Sequence, residues 1–301
     1  MPTSTDSSNI VVAPALPTGP ETYNRSYVDR FNNILRLYFN QIDNALRNAV
    51  ANTVPYGLRV AQGTVTGAAS LYRFGFNADV DTTEETVWSE GGNIPYPAAA
   101  GEVYISSSNA NDVAGSGTGV RTIKVQGLDA NYVQIEEDIS LNGQTQVITT
   151  KEYLRVFKAF ALTTGSNGAS AGTIYVGTTG ATAGVPPVVY ASFGDSNQTQ
   201  MAVYTVPANK TLYIDEIAFT ASVASATNSV TVKFKTREHA TNAFRTRFIQ
   251  VLESNTTVAP FAYPLAIPAK TDIECRAIAT CLLYTSPSPR DLSTSRMPSS
   301  A

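Results

Sequence analysis

Two hydrophobic periods divide the chain. Between Ser26 and Asn52, Val28, Phe31, Leu35, Tyr38, Ile42, Ala45 and Ala49 recur at helical spacing, which predicts one amphipathic helix of about six turns over residues 26–52. Ser26 is the expected N-cap. Ile34, Leu37, Phe39 and Leu46 widen the apolar surface beyond a single stripe, and so broad a face needs something to cover it. The cover is either the rest of the chain or further copies of the helix, with Phe31, Leu35, Tyr38 and Ile42 as the candidate oligomerisation residues.

From Pro55 onward the period switches to two. Short runs rich in Val, Ile, Thr, Tyr and Phe, bounded by Gly, Asn and Asp, predict strands at 70–76, 101–107, 120–128, 132–141, 145–150, 153–162 and 172–177. Leu141-Asn142-Gly143 reads as a hairpin turn between two of them. The Gly-rich stretch GTTGATAGVPPVVYASFGD interrupts the rhythm and reads as a linker. A second set follows at 201–208, 211–221, 228–238, 243–252 and 271–280. In the third of these Val230, Val232 and Phe234 point one way, while Thr231, Lys233 and Lys235 point the other. The expected fold is therefore mainly β. An N-terminal amphipathic helix precedes two antiparallel β-sandwich modules, Ig-like or jelly-roll-like, at 55–182 and 190–280.

The flanks differ from this body. Residues 1–25 carry four prolines and no apolar period, which predicts an extended, solvated arm. The last stretch, CLLYTSPSPRDLSTSRMPSSA (281–301), has neither strand nor helix period. It resembles the conceptual translation of a transposase-type sequencing adapter, which implies a metagenomic read and a second module truncated after Thr280. Cys281 is then foreign, and Cys275 is the only cysteine of the protein proper.

Composition narrows the function classes. With 21 Lys and Arg against 24 Asp and Glu, the chain has a formal net charge of -3, and no basic cluster marks a nucleic-acid or anionic-membrane partner. No apolar run is long enough to span a bilayer, and the N-terminus lacks the basic start and apolar core of a secretory signal.

The chemistry-bearing residues are few. A Ser-His-Asp or Cys-His arrangement needs a histidine to relay the proton, and the one histidine, His239, sits at a predicted strand end as a solvated turn residue. A zinc site needs more Cys and His than the sequence holds. Asp79, Asp81, Glu84 and Glu85 have oxygen ligands to offer a Ca²⁺ ion, but their spacing is that of an ordinary acidic turn. Glu136, Glu137 and Asp138 read as a solvated strand edge, and the lysine-free GSGTG at 115–119 as a flexible hairpin tip rather than a phosphate loop. Carboxylates are numerous enough to leave a paired-acid glycosidase open on composition alone. Trp88, with Tyr96 and Tyr104 nearby, forms a candidate glycan-stacking platform, against its alternative as a core plug. No catalytic residue, metal ligand or cofactor is expected, and the chain reads as a non-enzyme.

Several stretches add a resemblance. YVDRFNNILRLYFNQIDN resembles a helical segment of structural proteins from tailed bacteriophages, marine ones in particular. YRFGFNADVDTTEETVWSEGG, RTIKVQGLDANYVQIEEDISLNGQTQVITTKEYLRVFKAFAL and GTIYVG look like a β-sandwich of phage virion proteins, and MAVYTVPANKTLYIDEI is similar to a β-module that recurs in them. Together they cover most of residues 25–280. The resemblance implies a virion structural protein, a capsid decoration or a tail or fibre component. Such a protein is assembled in the host cytoplasm, and its partners are copies of itself and other virion proteins. A glycan- or receptor-binding adhesin module, with a host surface glycan as partner, is the alternative.

Overall fold

In the computed structural model, residues 14–51, 54–223 and 228–281 are described, with side chains left aside at 48–51 and 281. Most of the predicted N-terminal arm and all of the adapter-like tail beyond Cys281 lie outside them. The chain divides into two compact units, one up to Tyr72 and one from Arg73 onward.

In the first unit, helix α1 spans Arg25–Ala51. Its start corrects the expected cap. Asn24 Oδ1, not the Ser26 hydroxyl, accepts from the backbone N–H of Tyr27 (3.3 Å), leaving Ser26 inside the first turn. Tyr27 stacks on Phe31 with ring centroids 6.2 Å apart and donates its hydroxyl to Pro17 O at 3.1 Å, tying the preceding segment to the first turn. A short helix α2, Tyr56–Ala61, follows where the sandwich was expected to begin.

The second unit is mainly β, all of its strands antiparallel, and holds two packed pairs of sheets. Its strands are β1 (Glu85–Thr86), β2 (Gly101–Ser107), β3 (Val120–Leu128), β4 (Gln134–Ser140), β5 (Val147–Tyr153), β6 (Arg155–Thr164), β7 (Ile174–Gly177), β8 (Val189–Phe193), β9 (Val203–Thr205), β10 (Leu212–Thr220), β11 (Asn228–Arg237), β12 (Phe244–Leu252), β13 (Thr256–Ile267) and β14 (Asp272–Cys281).

The first pair sets a four-stranded sheet β5-β2-β7-β8 against a three-stranded sheet β4-β3-β6. Their facing residues, among them Val103, Ile105, Ile174, Val176 and Phe193 from one and Val120, Ile123, Val125, Ile139 and Ala159 from the other, form one buried cluster. The second pair sets β1-β14-β11-β12, with β9 beside β14, against the two-stranded β10-β13. Val230, Val232, Phe234, Leu252 and Ala277 meet Phe219 and Ile267 there. Both cores follow from alternation, since each strand sends every second side chain inward.

Four expectations change. Residues 70–76 form no strand. Gly75 passes so close to Val87 and Ala202 that an added Cβ would lie 2.3 Å from Ala202 N, and the segment runs extended along that backbone with Phe76 N bonded to Gln200 O (3.3 Å). The expected 141–143 hairpin is a tight turn, Thr145 N to Asn142 O at 3.1 Å, but it carries the chain across the sandwich, β4 pairing with β3 and β5 with β2. The predicted linker contains β8, which completes the first sandwich by pairing with β7. Strand β13 was missed because Pro260 and Pro264 interrupt its pattern. It is tolerated because it has only one partner, β10, so the prolines cost no ladder bond on its free side.

Candidate functional site: the charged face of the second sandwich

The alternation of β11 that sends Val230, Val232 and Phe234 into the core puts Lys233, Lys235 and Arg237 on the opposite face. Register then sets them beside Arg276, Glu274 and Asp272 of β14. This face is not left to water. The first sandwich contributes Arg155, from the start of β6, and the segment before β2 contributes Glu84 and Tyr96.

Asp272, 4% exposed, is the hub. Its Oδ1 accepts from Arg155 Nε (2.9 Å) and Thr205 Oγ1 (2.6 Å). Its Oδ2 accepts from Arg155 Nη2 (3.2 Å) and from Arg237 Nε (3.0 Å) and Nη2 (2.7 Å). Burial opposes ionisation of Asp272, but the bonds and charges of the two guanidiniums outweigh it and hold the carboxyl below its ordinary value.

Two residues along, the fully buried Glu274 accepts from Tyr96 Oη (2.6 Å), Arg276 Nε (2.6 Å) and Thr86 Oγ1 (3.3 Å). The Tyr96 phenol is pushed well above its usual range by burial and by the adjoining Glu274 and Asp272. Glu84 bridges Lys233 (2.6 Å) and Lys235. Burial would raise its carboxyl, yet the two ammonium groups bring it down to about 2.

Aromatic rings contact the arginines. The Arg155 and Arg237 guanidinium carbons lie 4.7 and 4.4 Å from the Tyr96 centroid, and those of Arg237 and Arg276 both lie 4.6 Å from the Phe244 centroid. Arg155 and Arg237 thus share Tyr96, and Arg237 and Arg276 share Phe244, each ring's negative face offsetting part of the repulsion between its two cations. Arg73 sits similarly over Phe157 and Tyr204, at 4.7 and 5.2 Å. The arrangement joins strands from both sandwiches through hydrogen-bonded charge, and its chemistry is that of a lock. Every carboxylate in it is committed to cations of the same cluster, with none left to act on a substrate.

Of the sequence candidates only Tyr96 and Glu84 belong to this cluster. Trp88 is 4% exposed, bridged to Met201 in the first core, with its indole N–H directed to Gly91 O (2.8 Å) and Gly92 O (3.1 Å). It offers no face for a sugar, because its ring plugs the core. Tyr96 is spent in the lock, and the half-buried Tyr104 lies on β2, so the three form no platform. His239 is exposed, and its Nδ1 shares a hydrogen bond with Tyr132 Oη at 3.1 Å.

The acidic turn is also engaged. Glu85, 2% exposed, accepts from Asn77 Nδ2 and Asp81 N (both 2.9 Å) and from Gly92 N, while Glu84 is in the lock. Among the described residues no cluster of His, Cys, Asp or Glu is placed to hold a metal ion. Of the β4 acids, Glu136 and Asp138 pair with Lys124 (2.9 and 3.0 Å), as a solvated face would. Glu137 instead accepts from the backbone N–H groups of Thr150 and Lys151, pinning the edge of the opposite sheet.

The GSGTG loop is not a loose tip: its last residue, Gly119, packs on the buried carboxylate of Asp112 so closely that a Cβ there would lie 2.0 Å from Asp112 Oδ1. Sequence reasoning passed over Asp112, because two of its four donors, Ala171 and Gly172, lie 59 and 60 positions away and nothing local marks them as its partners.

Cys275 packs against the second core, where burial and the neighbouring Glu274 push its thiol up to about 12. Native protein at pH 8 is therefore expected to leave Cys275 unalkylated by iodoacetamide, with peptide mass spectrometry showing full modification only after denaturation. Rapid labelling of native Cys275 would contradict this placement.

No protein-family model matches the chain, and no curated protein sequence matches it.

Proposed function

We propose that this chain is a structural protein of a tailed-phage virion, a capsid decoration or a tail or fibre component, which acts by assembling in copies through α1 and presenting its β unit. The phage part rests on the resemblance of the quoted stretches, and the assembly part on α1. Along that helix Val28, Phe31, Leu35, Tyr38, Ile42, Ala45 and Ala49 alternate three and four residues apart. A sustained 3-4 alternation keeps one seam facing a partner helix over the whole length, whereas packing on a straight neighbour needs no such repeat. Phe39 and Leu46, 61% and 59% exposed, lie beside the seam and broaden it, which favours three helices over two. The lock supports a presenting role, since its hydrogen-bonded charges join the two sandwiches of the β unit.

Sedimentation equilibrium of the full chain tests the assembly. The expected mass is three times the 32.0 kDa of one chain. In the Leu35→Asp/Ile42→Asp variant it falls to that of one chain, with the β-sheet circular dichroism and its melting unchanged. A monomeric wild type, or a variant that stays associated, would refute assembly through α1. Detection of the protein in purified phage particles, or its gene beside portal, capsid and terminase genes, checks the virion reading.

A further inference from the structure

A different region carries an inference independent of the assembly reading. Between the segment around Phe76 and the β8–β9 connection lies a cavity of about 180 Å³, open on one side. Phe193, 2% exposed, lines it from the first core, and Phe76, 54% exposed, presents its ring at the rim. Asp195, Gln198, Gln200 and Ser89 supply its polar groups. Among the described residues the side chains of Asp195, Gln198 and Gln200 have no protein partner, so their hydrogen-bonding capacity is free. No lysine, arginine or histidine lines the cavity.

The site is held stiffly. Asn197, at φ 57°, closes a turn to Gly194 O (3.0 Å), and its own carbonyl accepts from Ala161 N (2.8 Å). Thr199 is doubly bonded to Ala159, N to O at 2.9 Å and Oγ1 from N at 3.2 Å. Gln198 and Gln200 flank this anchor and alternate onto one side, and the Phe76 backbone is tied to Gln200 O. Ser89 Oγ is held against Ser192 Oγ at 3.1 Å. The backbone that carries these side chains is thus fixed before any ligand arrives, which confines the ordering cost of binding to the side chains themselves.

We propose that this cavity binds one neutral hexopyranose ring of a glycan. The donor and acceptor inventory selects that class. A carboxylate accepts two hydroxyls, two carboxamides each donate and accept, and a half-exposed aromatic ring offers its negative face to the C–H groups of a pyranose. A lone carboxylate with no neighbouring cation disfavours phosphate, sulfate and carboxylate ligands. Water occupies about 30 Å³ per molecule, so the volume suits a ring of about a dozen heavy atoms and not a long chain. One ring bound this way has an affinity of about millimolar, useful only when many copies act together.

Saturation-transfer NMR on the full chain tests this, with the methyl glycosides of glucose, galactose and mannose as probes, titrated to about 50 mM. At least one is expected to bind. Asp195→Ala and Gln198→Ala each weaken it by about tenfold or more. Tyr104→Ala, outside the cavity, leaves it unchanged, and all three variants melt like the parent. Phe76→Leu retains an apolar rim but loses the aromatic face, and is expected to weaken binding less than Asp195→Ala. Absence of binding for all three glycosides, or binding that survives both Asp195→Ala and Gln198→Ala, would overturn the proposal.

Discussion

Replacing Asp272 by alanine is expected to destabilise the β unit by about 3–5 kcal/mol, because it strands two guanidiniums that were neutralised by one carboxylate. Arg155 and Arg237 together place four hydrogen bonds on Asp272, and their side chains are 10% and 17% exposed. Without the carboxylate these donors lose both partner and counter-charge where water reaches them poorly. For a body of this size the loss corresponds to a fall in melting temperature of roughly 6–20 °C. Adding Arg155→Met and Arg237→Met is expected to restore most of it, since the penalty lies in the uncompensated cations and not in the missing Asp272 atoms. An Asp272→Ala variant within about 1 kcal/mol of the parent in urea unfolding would show that the lock contributes no such stability.

The same cluster gives stability a definite pH profile. Asp272 and Glu84 both titrate lower in the folded chain than their ordinary values, Glu84 at about 2. A group with a depressed folded pKa contributes its full stabilisation above its unfolded value, near 4, and loses it as pH falls toward the folded one. Stability from these two carboxyls should therefore be level from neutrality to about pH 5 and decline between about pH 4.5 and 2. Asp272→Ala should flatten part of that decline, because the titrating group is gone.

How much of this was legible in the sequence depends on the range of the interaction. Strands β2 and β3 match their predicted limits, because alternation is a local property that a few residues declare. The two faces of β11 were legible for the same reason. What covers its charged face was not. Lys233 and Lys235 read only as facing away from the core, because alternation distinguishes core from not-core, and a face packed against charged side chains looks the same as one facing water. Arg155 and Asp272 stand 117 positions apart, and nothing local marks either as the other's partner. Trp88 left two readings open for a related reason, since a single indole has no periodicity to say whether its surroundings are core or solvent, and the structure takes the core-plug one. Strand β8 was hidden by the Gly- and Pro-rich run that precedes it, and β13 by its own prolines. In both cases tertiary pairing overrode local propensity.

Asp112 shows the other kind of hidden residue, and substituting it carries the second large effect. Its carboxylate is fully buried and accepts from Val120 N (2.7 Å) and Ala171 N (2.9 Å) on Oδ1, and from Ser107 Oγ (2.6 Å) and Gly172 N (3.0 Å) on Oδ2. The end of β2, the start of β3 and the loop that leads into β7 are thus held by one side chain at one end of the first sandwich. Asp112→Ala leaves three backbone donors unpaired at about 1–3 kcal/mol each, so a total of at least about 3 kcal/mol is expected. Asp112→Asn is a sharper probe. It keeps shape and volume, but one of its two acceptor atoms becomes a donor facing donors, so about half the loss should persist despite intact packing. Gly119→Ala should act like Asp112→Ala, since the new methyl group collides with Oδ1. Hydrogen exchange locates the effect: the amides of Val120, Ala171 and Gly172 should lose protection in Asp112→Ala and Gly119→Ala, and in Asp112→Asn only those that face the new carboxamide nitrogen, while β11 and β12 stay protected. Unchanged protection at those amides in Asp112→Ala would mean that the start of β3 and the loop before β7 hold their shape without the anion they surround.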